Sequence, residues 1–129
     1  MFIRVAVPSF LEELTDTPAF DTPASPAVDV LENGHDTVIV AEMPGVTKEN
    51  VSVTFERDVL TIKGERKPLE IPEKARVLMH EQQTRTFVRS LRIGHDVDRT
   101  AISASLENGM LRVVLPKAEV AKPRVIEVR

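Results

Sequence analysis

His35, His80 and His95 are the chain's only imidazoles. No two of them are spaced as a ligand pair, and zinc sites draw on such pairs or on cysteines. The chain has no Cys, which also excludes a thiol nucleophile and a disulfide scaffold. Asp96-Val97-Asp98 resembles the start of a calcium loop. The Gly and the distal Glu that complete such a loop are missing, so the tripeptide reads as turn and capping chemistry. Glu12 and Glu13 are two neighbouring carboxylates, but adjacent helix residues do not face each other and make a poor acid/base pair. Asn50-Val51-Ser52 fits a glycosylation sequon, which is idle in a cytosolic chain. There is no Gly-rich phosphate loop, no H-E-x-x-H and no G-x-S-x-G. No residue set therefore points to catalysis, and neither a cofactor nor a metal is expected.

What remains is apolar surface and the elements that must present it. The 129 residues are 42% hydrophobic and 29% charged, with five Phe and no Trp or Tyr. One domain is the natural reading, and a chain of this size buries about two-thirds of its unfolded surface. A net charge of −3 gives no sign of nucleic-acid binding. No apolar stretch approaches the roughly 18 residues a membrane span needs. The opening MFIRVAVPSFLEEL has one Arg, an early Pro and two Glu, unlike a secretory signal, so the cytosol is the expected compartment.

Composition divides the chain into an N-terminal arm (1–27), a central domain (28–117) and a C-terminal extension (118–129). The arm carries the whole net negative charge together with Pro8, Pro18, Pro23 and Pro26. It also carries Phe2, Ile3, Val5, Val7, Phe10, Leu11, Leu14 and Phe20. Ser9 and Glu12 can form a capping box for one short helical turn near 9–14, but the prolines oppose a packed domain. An apolar, Pro-interrupted segment that cannot bury itself is suited to exposed apolar surface on another chain.

From Val28 the apolar period becomes two. Strands are expected around 28–30 and 37–41, joined in a hairpin at Asn33-Gly34, whose two positions can both take positive φ. Further strands are expected at 51–55, 59–63 (ended by Gly64), 87–93, 102–106 and 111–115, with a hairpin at Asn108-Gly109. Residues 64–76 form a charged loop, and Val77–Glu81 reads as a further short strand. Seven or eight short strands at regular spacing imply an all-β, immunoglobulin-like antiparallel β-sandwich.

Three motifs in order resemble a known family. Ala101-x-x-Ala104-Ser105-Leu106-Glu107-Asn108-Gly109-Met110-Leu111, followed by Val113 and Leu115-Pro116-Lys117, is similar to the A-x-x-x-N-G-V-L signature of the α-crystallin domain. Phe87-x-Arg89-Ser90-Leu91-Arg92-Ile93 resembles its F-x-R-x-F-x-L-P strand. Ile126-Glu127-Val128 resembles its C-terminal I-x-I/V anchor. Leu91, Gly94 and Met110 depart from the pattern. The first and third are apolar exchanges that sandwich cores tolerate.

The resemblance to small heat shock proteins implies an ATP-independent chaperone, a holdase that keeps partly unfolded clients from aggregating. It implies homo-oligomers built from dimers. Ile126 and Val128 would anchor one subunit in a neighbour's groove, at Val51, Val53, Ile102 and Ala104. A strand exchanged between subunits, here Val77, Leu78, Met79, His80 and Glu81, would make the dimer with help from Arg89. Clients would meet the arm residues named above. The alternative is a small co-chaperone-like binding module with one fixed folded partner, for which an anchor has no use.

Overall fold

The computed structural model describes residues 23–82 and 86–128. Among the described residues, seven strands run in the order β1 (Val28–Glu32), β2 (Asp36–Glu42), β3 (Val46–Glu56), β4 (Val59–Arg66), β5 (Thr86–Arg92), β6 (Ser103–Glu107) and β7 (Met110–Pro116). They form two antiparallel sheets, β1-β2-β7-β6 and β3-β4-β5. The sandwich read from the alternating sequence is the observed fold. Period-two alternation puts Ile39 and Ala41 of β2, Leu60 and Ile62 of β4, and Leu111, Val113 and Leu115 of β7 on the inner faces. Met43, Val46, Phe87 and Ile93 complete that core. Fully burying each large apolar side chain contributes about 1.5–3 kcal/mol.

Two tight hairpins use left-handed residues. Asn108 and Gly109 take φ of 51° and 75° between β6 and β7, as expected. Arg57 and Asp58 take φ of 51° and 64° between β3 and β4 without a glycine. Such turns match the right-handed twist of the strands they join. The β1–β2 connection differs from expectation. Neither Asn33 nor Gly34 is left-handed. Glu32 pairs with Thr37, so the loop has room for a side-chain turn. Asn33 Oδ1 accepts from the backbone N–H of both His35 and Asp36 at 2.7 Å, the Asx geometry that makes positive φ unnecessary.

Two further expectations are corrected. Gly64 does not end β4; it lies within the strand, opposite Val51 and Phe87. A Cβ there would stand 2.8 Å from Met43 Sδ and 3.2 Å from Val46 Cγ1, so the glycine makes room for core side chains. Val77–Glu81 is not a strand in the single chain. A strand needs a paired edge, and none of the seven strands pairs with this segment.

The ends of the domain are tied to it. Ala24 bridges to Phe87, donating to Thr86 O at 3.0 Å and accepting from Val88 N at 2.9 Å, and so covers part of the β5 edge. Lys117 Nζ, nearly buried, lies 2.7 Å from Glu32 Oε1 on the exposed side of β1. That hydrogen bond, and then the lysine's charge, hold the Glu32 carboxyl below its ordinary value of 4.5. A lowered native pKa stabilises the fold above the unfolded value, and the gain is lost as pH falls through the native one. Glu32→Gln is therefore expected to lower the urea midpoint near neutral pH and to converge on the parent in acid. A midpoint difference that ignores pH would contradict this pairing.

Candidate functional site

Among the described residues, strands β3 and β6 are edges that pair on one side only, one in each sheet, and the fold brings them side by side. On β3, Val51, Val53 and Phe55 stand opposite Gly64, Ile62 and Leu60 and share their inward face. On β6, Ala104 and Leu106 stand opposite the buried Val113 and Leu111, and Ile102 continues that side one step earlier. Val51, Val53, Phe55, Ile102 and Leu106 are only partly buried and pack against the core; Ala104 is exposed. The result is a row of partly covered apolar side chains along two strand edges that pair with no further strand among the described residues. Unpaired edges of this kind are templates for another chain.

The four residues expected from sequence to line a groove thus lie on, or just before, the two edge strands. Phe55 and Leu106 belong with them and follow from the same alternation carried one residue pair further. Arg99 was also missed. Its guanidinium sits 5.4 Å from the Phe55 ring centroid, at one end of the row. It is delivered by the 3-10 turn Arg99–Ala101, which Asp98 caps by accepting from Thr100 N at 3.1 Å and Thr100 Oγ1 at 2.6 Å. The expected capping chemistry at Asp98 is observed.

The C-terminal extension has a fixed root and a free end. Lys117 N donates to His35 O at 2.7 Å and Ala118 N to Asp96 O at 2.9 Å. A 3-10 turn at Glu119–Ala121 follows, with Lys122 Nζ 2.8 Å from Glu119 Oε1. Pro123 lies over Gly34, its Cγ 3.5 Å from where a Cβ there would stand. Beyond Pro123 there is no strand among the described residues, and Val125, Ile126 and Val128 are all exposed. Ile126 and Val128 are therefore not a terminal strand of their own sheet.

The expected dimer residues scatter more. Val77, Met79 and Glu81 are exposed, and Leu78 and His80 half-buried, in the β4–β5 connection. Val30 and Leu31 are exposed on β1, the edge of the four-stranded sheet. Arg89 turns to its own chain: Nη1 donates to Pro26 O at 3.3 Å and to Ser25 Oγ at 3.4 Å. No carboxylate pairs with it among the described residues. The arm residues expected to meet clients lie outside the described residues. No helix among the described residues is long and apolar enough to cross a membrane.

Residues 29–129 match the Hsp20/alpha crystallin family. The chain belongs to that family. Among its relatives, the 16.9 kDa class I heat shock protein 1 of Triticum aestivum is 37% identical over 123 residues, covering 95% of this chain and 80% of the relative. The 18 kDa antigen 2 of Mycobacterium avium is 34% identical over 106 residues, 82% of this chain and 75% of the other. Heat shock protein 16.0 from Schizosaccharomyces pombe superposes with a TM-score of 0.67 at 33% identity, over 81% of this chain and 96% of that one. A small heat-shock protein from Xylella fastidiosa gives 0.65 at 29% identity, over 84% and 99%. The chain is thus a small heat shock protein, and its family supports a stress-related chaperone role.

In this α-crystallin domain, the Phe87–Ile93 segment forms most of β5, which pairs with β4 on the side away from β3. Leu106 and Ala104 of the Ala101–Leu111 motif lie on the edge strand β6, and Asn108-Gly109 closes the hairpin that holds them. Gly109 O accepts from Met43 N at 2.7 Å, tying that hairpin to the core residue Met43.

Proposed function

We propose that this chain is an ATP-independent holdase of the cytosol, working as a homo-oligomer of dimers. One observation carries the reading: an open apolar groove and an exposed tail whose Ile126 and Val128 match it. In an extended segment these residues point to one side, as a groove between two edges requires. Seating both gains roughly 3–6 kcal/mol gross. Ordering the tail and losing rigid-body freedom consume much of this. Each contact is then weak and exchangeable, while many of them close a lasting assembly. The small heat-shock protein of Xylella fastidiosa has a distinct high order structure, in keeping with assembly.

The dimer would form when Val77–Glu81 of one subunit adds to an edge of its partner. The exposed Val30 and Leu31 make the β1 edge the natural acceptor. Arg89, held against Ser25 and Pro26, would brace the adjoining entry of the chain. The apolar arm then meets partly unfolded clients and holds them from aggregating.

The test is turbidity of a heat-labile client without nucleotide. An equimolar amount of the full chain should suppress aggregation, and removing residues 1–22 should abolish most of that protection. Aggregation unaltered by the full chain would reject the holdase reading.

A further inference from the structure

A second segment of this chain repeats the pattern of its tail. The tail reads Lys122-Pro123-Arg124-Val125-Ile126-Glu127-Val128, and the β4–β5 connection opens Lys67-Pro68-Leu69-Glu70-Ile71-Pro72. Each has two branched apolar residues two apart, a glutamate between them and a Lys-Pro pair ahead. Both lie outside any strand. Leu69 and Ile71 are 77% and 53% exposed, against 84% and 95% for Ile126 and Val128.

Such exposure of large apolar side chains in a charged loop calls for an occupant. Neither residue is seated in its own chain's groove, or it would be covered. We infer that Leu69-Glu70-Ile71 is a second anchor, which enters the β3–β6 groove of another copy in competition with the tail. This rests on the groove reading above.

The local chemistry favours it. A residue before proline is pushed to extended backbone, and Pro72 does this to Ile71. Pro68 presets its own φ just ahead of Leu69. Extended backbone sends Leu69 and Ile71 to one side and Glu70 to the other, toward water. The prolines also lack N–H groups, so pairing with a groove edge stops at both ends of the tripeptide. That keeps a sticky segment from growing into a longer sheet between copies. Preset extension lowers the ordering cost relative to the tail, whose Ile126-Glu127-Val128 has no proline directly beside it. Leu69 and Ile71 are close in volume to Ile126 and Val128, an exchange that apolar sites accommodate. Two claimants on one groove give the assembly a way to keep a contact when tails withdraw.

The test uses the full chain carrying Ile126→Gly and Val128→Gly, with two fluorescent peptides, residues 67–74 and residues 121–129. Both peptides should bind, with dissociation constants within about tenfold of each other. Each should displace the other, and Ala104→Arg, on an exposed edge position, should remove both. Binding of the tail peptide alone, or loop-peptide binding that survives Ala104→Arg or fails to compete, would overturn this inference and leave the groove reading standing. Binding of neither would overturn both. Within the chain, adding Leu69→Ser and Ile71→Ser to the glycine variant should lower its native mass further, while Leu69→Ile with Ile71→Val should not. An unchanged mass with the serines would overturn docking between copies.

Discussion

Glycine at both Ile126 and Val128 is expected to cut the native mass of the assembly severalfold while leaving the domain folded. Both side chains are exposed and lie outside every strand, so their loss costs the sandwich nothing. It would cost the proposed contact between subunits about 3–6 kcal/mol gross. At 1.4 kcal/mol per factor of ten, even a third of that weakens each anchor by an order of magnitude. In the closed assembly proposed above the losses would compound, because each subunit would both give and receive an anchor. Light scattering at fixed protomer concentration checks the mass, and far-UV circular dichroism checks the fold. An unaltered mass would reject the anchor. A mass that falls, yet stays above that of a dimer, leaves room for the loop segment.

The second large effect is on stability. Gly109→Val should destabilise the domain by about 2–4 kcal/mol. Gly109 sits at φ +75°, and a Cβ there would stand 3.2 Å from Pro44 Cα and 3.7 Å from Met43 O. A left-handed conformation alone costs roughly 1–2 kcal/mol for a residue with a Cβ, more when it is β-branched. Backbone cannot step aside as a flexible side chain can, and Met43 N is bonded to Gly109 O. Against a typical total of about 5–15 kcal/mol this is a large share. Gly94 is the control, since a Cβ there meets nothing within 4 Å. Gly94→Val should shift the urea midpoint little. Protomer concentration must be held fixed, because assembly itself stabilises the native chain. Equal midpoints for the two variants would contradict the steric account.

The strands that alternate cleanly were legible because a sandwich demands it. β2 and β7 each have one buried and one more open face, and a period of two cannot be satisfied otherwise. Asn108-Gly109 was legible for the same reason, since a two-residue connection forces positive φ. The hairpin at Asn33-Gly34 was legible too, but its geometry was not, because nothing local distinguishes a tight turn from a longer one in which Asn33 turns the chain with its side chain. Gly64 was misread as a stop because its reason lies in Met43 and Val46, distant in sequence. Val77–Glu81 carries strand composition, but within one chain it pairs with none of the seven strands. Of the candidate site, the inward parity of Val51, Val53, Ile102 and Ala104 could be read from alternation. That two edges from different sheets meet is a property of the strand order, and Arg99, carried to Phe55 by its 3-10 turn, came only with the structure.

Pro123 resting on Gly34 has a geometric consequence. From that pinned point to Ile126 there are three residues, and fully extended backbone spans at most roughly 10 Å over that length. The tail is then a short tether on a fixed pivot. Under the proposed anchoring, a neighbour's groove would have to pass within that radius of the β1–β2 loop, which would limit how far apart adjacent domains sit and how sharply a shell of them curves. Lengthening the stretch between Pro123 and Ile126 would relax that curvature without touching either the anchor or its groove.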